Sequence, residues 1–273
     1  MPEAAAALHR LGVDAPLRAA DAAVVAAGRC PLGDLAAQLA VCEAWAVRPL
    51  VALRAAAEAG DLAAMAELGE CFRFGLRGTP HDDAQAVVWR RRSAAGNVAT
   101  AQFSLGFMHE QGQGGLVQNY AEAARLYRLA ADAGDAKAQF NFGILYFIGH
   151  GVREDKAEAV RLWKLAAAQG NAGAQGNLAN AYRHGDGVAL DFAAALLFAR
   201  RSADRGNAVG ACHAGRIYEL GEGVPVDKPE AAKWYAKGAE EGDEKSIKCL
   251  RVLAGEGVAE AAAALRRLRL APA

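Results

Sequence analysis

Residues 135–170 read DAKAQFNFGILYFIGHGVREDKAEAVRLWKLAAAQG, and the fold follows from how this stretch is punctuated. From Asp135 to Ile148 apolar residues recur at helical intervals, and the run stops at Gly149, a residue without Cβ that suits a left-handed helix cap. Asp155 then precedes KAEAVRLWKLAAAQ, with Glu158 three residues later. That is capping-box spacing: the Asp side chain accepts a backbone N–H and the Glu reaches back to the Asp N–H. Gly170 closes the second run. The stretch therefore reads as helix A, a Gly-x-Gly turn and helix B.

The same punctuation recurs outward along the chain. Gly followed by Asp or Asn occurs at Gly60, Gly96, Gly134, Gly170, Gly206 and Gly242, spaced by 36, 38, 36, 36 and 36 residues. A second series lies inside helix A at Gly69, Gly106, Gly143, Ala179, Gly215 and Arg251, spaced by 37, 37, 36, 36 and 36. The mismatch implies one extra residue between positions 96 and 106. Gly-x-Gly-Val recurs at Gly149, Gly185 and Gly221, with looser versions at Gly75 and Gly112. Helix starts stand at Asp82, Asn119, Asp155, Asp191 and Asp227, with Gln85, Glu122, Glu158 and Glu230 completing the box and Ala194 leaving that of Asp191 incomplete. Such a period specifies a stack of helix pairs. A glycine inside a helix costs about 1 kcal/mol relative to alanine, yet the place tolerates Ala179, so what it demands is small size for a close helix approach. Arg251 marks a degenerate last unit.

Composition fits this frame and narrows function. Of 273 residues 68 are alanine, the strongest helix former. Lys and Arg number 31 against 31 Asp and Glu, which argues against a nucleic-acid partner, because phosphate binding needs a cationic surplus. No apolar run reaches the ~18 residues that would span a bilayer, and MPEAAAALHR at the N-terminus lacks signal-peptide character. A soluble, cytoplasmic protein is expected, with no membrane contact. The five cysteines (30, 42, 71, 212 and 249) have no CxxC spacing and read as helix fillers, so neither a metal nor a cofactor is expected. Gly-x-Gly follows a helix here, where a phosphate-binding loop would follow a strand.

The composite at Ala138, Phe142, Gly143, Tyr146, Gly149, Gly151 and Val152, continued by AVRLWKLAA at 159–167, resembles the Sel-one-like repeat, a tetratricopeptide-like helix pair. Tyr182 and Tyr218 occupy the Tyr146 place, whereas Phe72 and His109 depart from it. The resemblance covers residues 50–257 and implies an all-α fold, a right-handed α/α solenoid of ~36-residue helix-turn-helix repeats. It implies an adaptor that holds other proteins together, without catalytic residues. Some members of that family have been discussed as antibiotic-binding or lactam-hydrolysing proteins with a Cys pair bridging each repeat. This sequence has no such regular pairs and no S-x-x-K. Residues 1–49 read as N-terminal helices forming a degenerate repeat or cap, with runs at 31–45 and 49–59, and residues 258–273 as a C-terminal capping helix.

The candidate site comes from helix periodicity. Opposite the core arc of helix A lie the places of Asn141, Ile144 and Ile148, a face expected to line the inner, concave surface. The three columns hold Glu67, Glu70 and Phe74; Ser104, Phe107 and Gln111; Asn141, Ile144 and Ile148; Asn177, Asn180 and His184; His213, Arg216 and Leu220. Acids begin this face, apolar groups occupy its middle, and an amide-His-Arg cluster ends it. Asn side chains can donate to and accept from an extended backbone, Arg216 or the adjacent Arg183 can take a carboxylate, and Phe107, Ile144 and Ile148 can receive an apolar side chain. The expectation is a non-enzymatic scaffold that binds a peptide or protein segment. The alternatives are a small-molecule or β-lactam-handling enzyme on the same frame, or a regulatory module of a larger complex.

Overall fold

The computed structural model describes residues 50–271. The helices expected within 1–49 lie outside the described residues, as do Cys30 and Cys42. Among the described residues all regular structure is helical. Helix α1 (Leu50–Glu58) is followed by six A/B pairs: α2 (Leu62–Phe74) and α3 (Asp83–Ala95), α4 (Ala99–Gln111) and α5 (Tyr120–Asp132), α6 (Ala136–Ile148) and α7 (Lys156–Ala168), α8 (Ala172–His184) and α9 (Phe192–Asp204), α10 (Ala208–Leu220) and α11 (Lys228–Glu240), α12 (Glu244–Gly255) and α13 (Ala259–Arg267). A short 3₁₀ turn, Leu76–Gly78, interrupts the first A-to-B connection. From α2 onward each helix packs on its neighbours in sequence, and α8 and α10 also meet directly as successive A helices. The architecture is an α/α solenoid of tandem helix pairs.

The punctuation acts largely as the sequence suggests. Gly75, Gly112, Gly149, Gly185 and Gly221 close their A helices in the left-handed region, with φ between 64 and 75°. Asp82, Asn119, Asp155, Asp191 and Asp227 each accept the N–H three residues on and so start the B helices.

The second half of the capping box does not form. The N–H of Asp155 donates to Tyr146 O at 2.9 Å, and the corresponding N–H groups of Asp82, Asn119, Asp191 and Asp227 donate to carbonyls at the same place of their A helices. With that donor already satisfied, Glu158 turns outward to Arg161, as Glu122 does to Arg125 and Glu230 to Lys233. The B helix is thereby fastened to the preceding A helix through its first peptide, which is why Ala194 is tolerated beside Asp191. Asp155→Ala is therefore expected to cost about 1 kcal/mol and Glu158→Ala less than about 0.5 kcal/mol, the worth of one exposed ion pair. Urea denaturation distinguishes the two, and an equal loss would restore the reciprocal box.

The irregular 36 and 38 spacing also has a structural cause. Gly96 is not left-handed (φ −84°); Asn97 is, at φ 62°. Val98 then stands at the cap of α4 without a side-chain acceptor. Counted by left-handed positions, the B-to-A turns fall at Gly60, Asn97, Gly134, Gly170, Gly206 and Gly242, spaced by 37, 37, 36, 36 and 36. No residue is added between 96 and 106. The added residues lie in the first two A-to-B turns, where Gly75 to Asp82 and Gly112 to Asn119 each advance by seven positions, against six from Gly149 to Asp155.

The glycines inside helix A do serve close approach. A Cβ on Gly143 would lie 2.5 Å from Trp163 Nε1, one on Gly106 2.9 Å from Tyr127 Cδ1, and one on Gly215 2.7 Å from the Tyr235 ring. Each large group comes from the B helix of the same unit. The fourth unit exchanges the sizes, pairing Ala179 with Ala199, both fully buried. In the first unit the large group is Arg90, 1% exposed, whose guanidinium pairs with Glu70 and reaches Met108 Sδ at 3.3 Å. At the Arg251 place the guanidinium turns to Ala271 O at 3.0 Å.

The second glycine of each Gly-x-Gly touches the preceding unit. A Cβ on Gly151 or Gly187 would stand 2.2 Å from the carbonyl oxygen of Tyr120 or Lys156, the first residues of α5 and α7. Gly114 approaches Asp83 O in the same way. The motif is thus an inter-unit contact, and its glycines cannot be exchanged freely.

Candidate interaction face

Of the three A-helix columns, Ile144, Asn177 and Asn180 border one cleft, while both acids that begin the columns are paired within the array. Glu67 pairs with Arg77 and Glu70 with the buried Arg90. Burial draws the Arg90 pKa down and Glu70 supports its charge. Beside them Arg73 lies over the rings of Phe74 and Phe107, at 5.0 and 5.2 Å. Ser104 is half-buried, whereas Gln111 and Phe74 are exposed, the latter by 56%.

The middle of the face forms a cleft. Ile144 and Phe147 of α6, Trp163 of α7, and Asn177 and Asn180 of α8 line a cavity of about 250 Å³ between successive A helices. Trp163 donates Nε1–H to Phe140 O at 3.1 Å, so its polar atom is satisfied and the ring presents carbon to the cleft. The side-chain amides of Asn177 and Asn180 have no hydrogen-bond partner among the described residues, and both border this space. Asn141 is drawn away: its Nδ2 donates to Tyr127 Oη at 3.2 Å, while that hydroxyl donates to Glu110 at 2.5 Å. Burial, then the Glu110 bond, pushes the Tyr127 pKa up and keeps the phenol protonated. Ile148 is 47% exposed and does not line the cleft.

At the far end Arg183 makes a two-pronged pair with Glu222, one contact at 2.8 Å and the other through Nε. It is therefore not free to hold a ligand carboxylate. Arg216 is exposed and unpaired among the described residues, His184 rests its Nδ1 3.0 Å from Asn180 O, and Leu220 is exposed. His213 is half-buried; desolvation first, then Arg183, His184, Lys245 and Arg216, lower its pKa from 6.5 to about 4. Between those two values the unfolded chain binds a proton that the folded chain refuses. The neutral imidazole costs nothing above pH 6.5, and stability falls progressively as pH drops toward 4, by up to about 3 kcal/mol. Urea midpoints at pH 7.5 and 4.5 should show this loss in the parent and a smaller one in His213→Gln; identical slopes would clear His213.

The structure thus gathers Ile144, Asn177 and Asn180, neutralises Glu67, Glu70 and Arg183, and adds Arg73, Phe147 and Trp163, which the sequence reasoning missed. A signal existed for two of them. The column holding Arg73, Glu110, Phe147, Arg183 and Glu219 mixes charge with aromatic carbon, as a surface column does and a core column does not. Among the described residues there is no group of three or more His, Cys, Asp or Glu able to hold a metal ion, and no helix is long and apolar enough to cross a membrane. Cys71 is buried and free, and Cys212 and Cys249 are free and half-buried.

Comparison with known proteins identifies the repeat. The chain is 35% identical over 100 residues to the ERAD-associated E3 ubiquitin-protein ligase component HRD3B of Arabidopsis thaliana, covering 36% of this chain and 15% of that protein. It is 33% identical over 97 residues to chitin synthase regulatory factor 3 of Schizosaccharomyces pombe, covering 35% of this chain and 10% of the relative. The chain therefore spans a small part of the curated relatives it matches. A solved protective antigen of uropathogenic Escherichia coli strains, displaying an SLR fold, superposes with a TM-score of 0.73 at 33% identity, over 82% of this chain and 49% of that one. The Sel1 repeat pattern itself matches five consecutive segments, 62–98, 99–135, 136–171, 172–207 and 208–243, which coincide with the pairs α2/α3 to α10/α11. With its helix pairs and those five matches in register, the chain belongs to the Sel1 repeat family.

Proposed function

We propose that this chain is a non-catalytic protein-interaction scaffold that binds a peptide or protein segment along the A-helix face. The observation that carries the reading is the α6–α8 cleft, where apolar carbon from Ile144, Phe147 and Trp163 stands beside the two unpartnered amides of Asn177 and Asn180. Such amides can pair with both the N–H and the C=O of an extended backbone, while the apolar wall takes one side chain. Arg216, left free by the Arg183–Glu222 pair, supplies a site for an acidic group farther along. A component of a ubiquitin ligase and a regulatory factor of an enzyme among the relatives support action beside an enzyme, as part of a larger complex.

The test is selection of a binder from a displayed peptide library, followed by titration against variants. Asn177→Ala combined with Asn180→Ala and Ile144→Asp should weaken a selected peptide by about tenfold or more, whereas Leu197→Asp, at an exposed position of α9, should leave affinity intact. Affinity retained in the triple variant refutes the face.

A further inference from the structure

A larger cavity, about 600 Å³, opens away from the A-helix face, between the B helices α3 and α5 and over α4. Its volume falls within the range of small-molecule sites, roughly 300–1,000 Å³. Three departures from the repeat meet there. His109 stands where the next three units have Tyr146, Tyr182 and Tyr218, and the smaller ring leaves space unfilled. Asn97 occupies a turn position held in those units by glycine, adding a polar side chain at the rim. Asn119 caps α5 where every other B helix from α3 to α11 is capped by Asp, so a negative charge is missing beside the cavity.

The lining includes one unsatisfied imidazole nitrogen beneath the surface and side-chain N–H groups without an acceptor. His109 Nδ1 is buried with no hydrogen-bond partner. Asn119 uses its Oδ1 on Glu122 N and keeps Nδ2 free. Arg91 has no ion-pair partner among the described residues; in later units the same place is Lys164 over Tyr182 and Arg200 over Tyr218, at 5.5 and 5.8 Å, so the ring that would cover the cation is what His109 removes. Glu122, the one acid of the lining, has both oxygens held by Arg125 at 2.7 and 2.8 Å. Leu105, Leu126 and Leu129 supply the apolar part of the wall, and Gln102, also in the lining, spends its Nε2 on Ala94 O and Asn97 Oδ1. A cation would meet Arg91 unopposed, and a phosphate dianion would find a single free positive charge. An acid of one charge on an apolar body matches each wall.

We propose that this cavity binds a small organic carboxylate, its acid group taken by Arg91 with the Asn119 Nδ2–H donor, and its apolar body laid on Leu126 and Leu129 in the space that the His109 ring leaves. The site is separate from the A-helix face: His109 lies two residues past Phe107, about 200° around α4.

The test uses 4-phenylbutyrate and its neutral amide as probes on the full chain, with imidazole resonances followed by NMR and affinities by calorimetry. The carboxylate should bind saturably and shift the His109 signals, with the amide weaker by about tenfold or more. Arg91→Gln, at an exposed position, should weaken the carboxylate by a similar factor, Arg128→Gln in the next unit should change nothing, and His109→Tyr should abolish binding while helical circular dichroism is retained. Absence of saturation, equal affinity for the amide, or undiminished binding in Arg91→Gln overturns the proposal.

Discussion

Gly187→Ala is expected to destabilise the array by at least about 3 kcal/mol, the sum of a left-handed strain near 1 kcal/mol and a backbone clash that the neighbours cannot relieve by a rotamer change. Gly187 sits at φ 68°, and the added carbon would meet Lys156 O at 2.2 Å and Lys156 C at 2.3 Å. Both are main-chain atoms in the first turn of α7, so relief requires the third and fourth units to separate. Gly134→Ala supplies the comparison. Its φ is 90° but nothing lies within 4 Å of the new carbon, so only the conformational part remains, about 1 kcal/mol. Because solenoid stability is a sum of unit and interface contributions, Gly187→Ala should also split the unfolding transition, with probes in α6 and α10 losing coincidence. Equal losses for the two variants in urea would show that these glycines matter for φ alone.

The second large effect concerns Gly143 and Trp163. Gly143→Ala places a carbon 2.5 Å from Trp163 Nε1, forcing the indole from its pocket and from Phe140 O, a cost of about 2–3 kcal/mol. Trp163→Ala alone leaves a void and should cost about 3–5 kcal/mol. Their combination reproduces the Ala179–Ala199 arrangement of the fourth unit. The double variant should therefore be more stable than the sum of the two losses implies, by about 1–3 kcal/mol of coupling. Thermal or urea unfolding of the four chains measures it, and strict additivity would sink the size-exchange account.

These two cases mark what was legible in the sequence. A period carried by small residues and caps is local information, so the helices, their ends and the role of small size at 69, 106, 143 and 215 could be read without coordinates. Contacts between units are not local. Nothing in the Gly-x-Gly motif says that its second glycine abuts Tyr120 or Lys156, and the spacing of Asp155 and Glu158 gave no sign that Tyr146 O already held the cap amide. The Gly96-Asn97 pair misled because its composition matched the series while its backbone ran one residue out of step.

The interaction face shows the same division. Periodicity placed Ile144, Asn177 and Asn180 on one side. It could not foresee that Arg183 would be claimed by Glu222, 39 residues away, or that Arg90 would cross beneath Gly69 to neutralise Glu70. Charge columns read along a helix overestimate the polarity of a surface whenever the partner comes from another turn of the stack.

The main-chain contacts at Gly151 and Gly187 have a mechanical meaning. They lie where the A-to-B turn meets the start of the previous B helix, at one edge of each junction, and they set the backbone distance there. A row of such points works as the spine of a book. A substituent at either glycine therefore acts on the spacing of two units rather than on one turn. The Gly187 contact and the cleft wall share one residue, since Lys156 offers its carbonyl to the first and lies with its Nζ 5.1 Å from the Phe147 ring of the second.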